Sequence, residues 1–219
     1  MPTLTTVLFD FDGTLVDTTE LIHQSMRHAT YTVLGREFSR ERLLSGVGRP
    51  LPDQMKTFDP ERADELLAVY SSHNEAHHDD FIREFPGVEE ALERLQEAGL
   101  DLAIVTSKRR GSVDQALNTF PGLGRVVDRF VTMEDTTEHK PAPEPLWKGL
   151  EMLGAIREEA AYVGDSPYDI AAARSAGLVN VGVSWGAFTH EQLREAGPDH
   201  LVTDMDAAAD TLLELAGKR

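Results

Sequence analysis

Apolar residues gather in short runs at positions 7–9, 102–105, 126–131, 160–163, 179–183 and 201–202. Runs of this length, bounded by polar or turn residues, read as buried strands. Between most of them lie helical stripes. Pro86-Gly87 opens one, with Val88, Ala91, Leu92 and Leu95 on a single face, and Gly99 closes it. A second follows Pro143 and Pro145 and carries Leu146, Leu150 and Leu153. A third follows Ser166-Pro167, with Ile170, Ala171 and Ala176 before Gly177. This alternation predicts βαβ units and hence an α/β fold: a doubly wound, mostly parallel sheet covered by helices on both faces.

One stretch interrupts the alternation. Positions 17–84 carry helix patterns and turns but no strand pattern. Asp17-Thr18-Thr19-Glu20 supplies a cap and early acids for a helix through Arg27 and beyond. Ser45-Gly46-Val47-Gly48-Arg49-Pro50 reads as a loop, and Asp59-Pro60-Glu61 begins a second long helix reaching about Phe81. The expected organisation is an α/β core of residues 1–16 and 85–219 with a helical insert, residues 17–84, entered just after the first strand.

Composition narrows the class. The 219 residues are enough for a large core, with 41% hydrophobic and 27% charged residues. Cys is absent, which excludes disulfides and thiolate chemistry. No signal peptide and no membrane-length apolar stretch stand out, so a cytoplasmic location is expected. The formal net charge of -17 disfavours nucleic acid and anionic lipid as partners. It also repels small anions, so any phosphate site has to reverse the field locally. The run Ser107-Lys108-Arg109-Arg110 is worth noting for that, although taken individually its three basic side chains read first as a solvated positive turn.

The chemistry concentrates at strand ends, where open parallel sheets bind ligands. The first strand ends in Asp10-Phe11-Asp12-Gly13-Thr14, the second in Thr106-Ser107, and a later one in Gly164-Asp165-Ser166 with Asp169 four residues beyond Asp165. His139-Lys140-Pro141 precedes that later strand. Alone, Asp12-Gly13 fits a turn. An EF-hand loop does not fit, because Leu15 stands where its sixth-position glycine belongs. Together these residues suit phosphoryl transfer. A carboxylate can attack phosphorus, and Thr106 and Ser107 can donate to phosphate oxygens. Lys140 brings a positive charge to the anion. A divalent cation relieves repulsion among Asp10, Asp12 and Asp165, and an all-oxygen donor set favours Mg²⁺ over Zn²⁺.

These four segments, in this order, resemble the motifs of the haloacid dehalogenase-like (HAD) hydrolase superfamily. The first motif is matched by Asp10-Phe11-Asp12-Gly13-Thr14, the second by Thr106, the third by Lys140 and the fourth by Gly164-Asp165-Ser166 to Asp169. The resemblance implies a Rossmann-like core, with the insert as a mobile cap. It implies Asp10 as nucleophile and Mg²⁺ ligand, and Asp12 as acid/base whose backbone carbonyl also binds the metal. Thr106 and the Ser107 backbone would hold the phosphoryl group, Lys140 would neutralise charge, and Asp165 would bind Mg²⁺. Asp169 would bind through water or support the site, unless it serves only as a first-turn helix acid.

Single positions separate the branches. Dehalogenases lack the second aspartate, so Asp12 points to phosphate chemistry. Phosphonatases use a cap lysine, but Lys56, the only lysine in the insert, has no matching context. β-Phosphoglucomutases carry a cap histidine where Ile22 stands, and His23 lies about 100° round the helix from that position. The chain is most similar to the PpaX-type inorganic pyrophosphatases. That likeness runs through Glu20-Leu21-Ile22, the stretch 70–79, His139-Lys140-Pro141-Ala142-Pro143-Glu144-Pro145-Leu146 and Gly182-Val183-Ser184-Trp185-Gly186. Phosphoglycolate phosphatases follow, through Gly48-Arg49-Pro50-Leu51. The expected partner is therefore a small phosphorylated substrate, pyrophosphate or phosphoglycolate, with the protein a monomer or weak homodimer. Arg49, on a glycine-flanked loop, can grip the leaving group bidentately. His73 and His77 share a helix face at metal-binding spacing, but with no third ligand they read as a polar cap surface. A phospho-receiver module, the alternative outside enzymes, needs only about half this length and no insert after Leu15.

Overall fold

A computed structural model describes residues 3–218. Six strands form one sheet in the order β5-β4-β1-β6-β7-β8, and every neighbouring pair is parallel. Their bounds are β1 Thr6–Phe9, β4 Asp101–Val105, β5 Phe130–Val131, β6 Ala160–Gly164, β7 Val179–Val183 and β8 His200–Val202. The central strand β1 is fully buried, with Val7, Leu8 and Phe9 inaccessible to solvent. That is why it reads as an unbroken apolar run rather than an alternation.

Each face of the sheet has its own core. One gathers Val7, Phe9, Ile104 and Val163 with the helices Val88–Glu97 and Met205–Leu215. The other gathers Leu8, Val105 and Tyr162 with the helices Glu144–Leu153 and Pro167–Ala176. The three stripes read from sequence fall on helices at Val88–Glu97, Glu144–Leu153 and Pro167–Ala176.

Two features differ from the pattern. The apolar run 126–131 is split: Val126 ends the helix Pro121–Val126, and only Phe130–Val131 pairs as strand. Asp128 and Arg129 lie between and break the buried stretch. The insert is also entered and left through two tiny strands, β2 Val16–Asp17 and β3 Arg83–Glu84, paired antiparallel. Two-residue strands carrying charges have no periodicity to detect.

Between β2 and β3 lie five helices: α1 Thr19–Leu34, α2 Arg40–Leu44, α3 Leu51–Phe58, α4 Ala63–Ala76 and α5 His78–Phe81. The expected second long helix is thus interrupted at His77. Met26, Ala29, Val33, Leu43, Met55, Leu66 and Tyr70 form a hydrophobic cluster separate from the sheet. A smaller cluster of Ile22, Leu44 and Val47 packs against Ala187 and Phe188 and joins the insert to the carboxyl edge of the sheet.

Candidate active site

Parallel strands end together, so the residues just beyond β1, β4 and β6 meet at one edge of the sheet. Asp10 follows β1, Thr106 follows β4 and Asp165 follows β6. Asp10, Asp165 and Asp169 are buried, and a carboxylate oxygen from each lies within 4.8 Å of the others.

Lys140 ties this group together. Its Nζ donates to Asp10 Oδ1 at 2.8 Å, to Asp169 Oδ1 at 2.7 Å and to the Tyr162 hydroxyl at 2.9 Å. All three ammonium hydrogens are therefore used. Tyr162 donates in turn to the Val105 carbonyl at 2.9 Å, which anchors the lysine to the sheet. Burial opposes the Lys140 charge, but the Asp10 and Asp169 carboxylates hold its pKa above the ordinary lysine value. Asp169 serves two ends. While Oδ1 faces Lys140, Oδ2 accepts from the Ser166 backbone N–H at 3.0 Å and completes a capping box at the start of Pro167–Ala176.

The acids lack enough positive charge. Burial, then repulsion from Asp169, pushes Asp10 up to about 7 against the pull of Lys140. Burial, then Asp169 and Asp10, raises Asp165 well above the usual carboxylate range. Asp165 Oδ2 accepts from the Ala187 N–H at 2.8 Å, whereas Oδ1 is buried with no hydrogen-bond partner. Gly13, at φ +79°, lies so near that a β-carbon there would sit 2.3 Å from Asp165 Oδ2. An unpartnered carboxylate oxygen among three clustered acids fits a hard divalent cation, and Mg²⁺ suits this oxygen set.

Asp12 points elsewhere. Its Oδ1 accepts from Lys108 Nζ at 2.7 Å, and both residues line a cleft of about 420 Å³ between insert and core. Arg49 lines the same cleft, its guanidinium 5.9 Å from the centre of the Tyr168 ring. Among the described residues no carboxylate pairs with Arg49. Thr106 is buried, its Oγ1 accepting from the Lys108 N–H at 3.1 Å. The Ser107 hydroxyl donates to the Gly48 carbonyl at 2.9 Å and so fastens the insert's loop to the core.

Residues 7–183 match the family model for haloacid dehalogenase-like hydrolases. The chain belongs to this family. The HAD-like hydrolase assignment agrees with its relatives. Pyrophosphatase PpaX of Halalkalibacterium halodurans is 39% identical over 207 residues, covering 94% of this chain and 96% of that protein. A crystal structure of a "predicted phosphatase" from Clostridium acetobutylicum superposes with TM-score 0.86 at 27% identity, over 97% of this chain and 100% of that one. A "predicted phosphoglycolate phosphatase" from Haemophilus somnus gives TM-score 0.83 at 25% identity, over 96% and 99%.

Two residues of this HAD-like hydrolase site escaped the sequence reading. Lys108 was legible only as part of a positive turn. Tyr162 looked like one more apolar position, and the sole signal was a hydroxyl inside the buried strand Ala160–Gly164. The cap histidines gather as a stack rather than a metal site. His28, His73 and His77 lie with adjacent ring centres 4.5 Å apart, and His73 Nδ1 is 3.1 Å from Ser25 Oγ. Among the described residues, the only group of three potential ligands close enough for one ion is Asp10, Asp165 and Asp169.

Proposed function

We propose that this HAD-like hydrolase is a Mg²⁺-dependent phosphohydrolase that works through an aspartyl phosphate on Asp10, with inorganic pyrophosphate as its substrate. The observation that carries this reading is the Lys140 ammonium clamped on Asp10 beside the unpartnered Asp165. In the same reading residues 17–84 form the cap and residues 1–16 and 85–219 the core.

The clamp holds Asp10 Oδ1 and leaves its second oxygen to attack phosphorus. As that O–P bond forms, the bond from phosphorus to the departing group breaks. Asp12 gives its proton to the departing oxygen. Water then attacks the aspartyl phosphate, Asp12 takes a proton from it, and orthophosphate leaves with Asp10 restored. Thr106 and the Ser107 backbone N–H steady the phosphoryl oxygens. When bound, held by Asp10, Asp165 and the Asp12 carbonyl with Asp169 in support, Mg²⁺ offsets the negative charge gathered on carboxylates and phosphate. Arg49 meets the charge of the leaving group from the cap side of the cleft.

Pyrophosphate is favoured by the PpaX relatives, one at 39% and another, from Anoxybacillus flavithermus, at 37% identity. Phosphoglycolate is the second reading, on the likeness to the Haemophilus somnus structure at 25%. A comparison of kcat/KM for pyrophosphate, phosphoglycolate and a sugar-phosphate panel with Mg²⁺ tests the substrate. Pyrophosphate should lead by about tenfold or more, a gap of about 1.4 kcal/mol in transition-state stabilisation. A leading sugar phosphate would overturn the substrate reading.

A further inference from the structure

Three cations, Arg49, Lys108 and Arg109, line the cleft, and among the described residues Lys108 is the one engaged with a carboxylate. Its Nζ lies 2.7 Å from Asp12 Oδ1, with only 10% of the lysine side chain and 19% of the aspartate side chain exposed. The backbone beneath it is fixed from both sides. The Lys108 N–H donates to Thr106 Oγ1 at 3.1 Å, and its carbonyl accepts from the Met133 N–H at 3.0 Å. The ammonium thus projects from a rigid turn at the end of β4.

The Asp12 backbone is held by a bridge to Val16, but that bridge does not fix the carboxylate. Among the described residues, Lys108 supplies the only side-chain hydrogen bond to its carboxylate. It stands outside the cluster of Asp10, Asp165 and Asp169 that Lys140 organises. A carboxylate at a cleft wall turns freely about two side-chain torsions unless something fixes it. Proton transfer needs the donor oxygen within about 3 Å of the departing oxygen, so misplacement costs rate directly.

We propose that Lys108 is a positioning residue for Asp12: it holds the carboxylate that exchanges protons with the leaving group and with water. The assignment rests on the phosphohydrolase reading above. Arg49 and Arg109 remain to meet the charge of the substrate, so Lys108 acts through Asp12 rather than by gripping substrate itself.

The test compares wild type, Lys108→Met and Lys108→Arg, each with Mg²⁺. On pyrophosphate, Lys108→Met should lose about 10- to 100-fold in kcat, part of what one general acid–base group supplies, while KM stays within about threefold. On 4-nitrophenyl phosphate, the first release of nitrophenolate should keep its wild-type rate constant, because that leaving group needs no proton. Later turnovers, which need Asp12 as base, should slow. Lys108→Arg should recover most of the loss, and thermal melting within about 2 °C of wild type would show all three proteins folded. A first-turnover loss equal to the pyrophosphate loss, a rise in KM without a fall in kcat, or unchanged pyrophosphate turnover would each overturn the assignment alone. Absence of any Mg²⁺-dependent turnover in the wild type would instead overturn the phosphohydrolase reading, and this assignment with it.

Discussion

Asp10 has one ammonium in its favour, and burial together with two carboxylates against it. Its pKa is raised from 3.8 to about 7, chiefly by burial. Below pH 3.8 both folded and unfolded chains carry the proton. Between that value and about 7 the folded chain keeps a proton that the unfolded chain has released, so stability falls as pH rises. Above about 7 the loss is complete. Asp10→Asn removes this penalty. With chelator present, the variant should gain in melting temperature over wild type as pH goes from 4 to 7, and parallel curves would refute the account. The same substitution should lower turnover by at least about a thousandfold, since an amide is no nucleophile for phosphorus. Wild-type rates in Asp10→Asn would sink the nucleophile assignment. At this scale the sequence was legible where a side chain sits just past a strand end. Asp10, Thr106 and Asp165 are such residues, and a parallel sheet aligns its ends. Tyr162 was hidden because a hydroxyl inside a strand says nothing about what lies above it until the helix carrying Asp169 is packed there.

Among the elements, the loop between α2 and α3 links insert to core. Gly48 has φ +94°, and a β-carbon there would sit 2.6 Å from Ser166 Oγ. Its carbonyl receives the Ser107 hydroxyl, and Arg49 follows it into the cleft. Gly48→Ala combines a strained backbone with a clash against a buried serine, so the loop has to back away from the core. The expected result is a fall of about tenfold in kcat/KM for pyrophosphate and a melting temperature a few degrees lower. Unchanged kinetics would mean that the contact between loop and core does not place Arg49. The elements themselves were partly legible. Long helices announced themselves by their stripes, and α1 by its acidic start. The pair β2 and β3 did not, because its order comes from pairing Asp17 with Arg83 and Val16 with Glu84, far apart along the chain, rather than from local pattern.

Across the whole molecule, a net charge of -17 surrounds a cleft lined by Arg49, Lys108 and Arg109, beside a buried acid cluster. Chelator should abolish turnover. Mg²⁺ should raise the melting temperature by several degrees, and by more at pH 8 than at pH 5, because protons and cation compete for carboxylates whose pKa values are raised. A shift independent of pH, or metal-independent hydrolysis, would contradict that competition. Among the described residues no helix is long and apolar enough to cross a membrane.

By itself the sequence determined the α/β class, the helical interruption after the first strand and the acids at the strand ends. Each of these depends on local periodicity or on a residue's place at the end of a run. Tertiary structure alone decided the partners. It put the Lys140 ammonium on Asp10, Asp169 and Tyr162 at once, gave Asp12 to Lys108, and turned the Ser107 hydroxyl to Gly48. Those contacts join residues up to 130 positions apart. Which ammonium reaches which carboxylate is set by how strands and helices pack, and no local pattern carries that information.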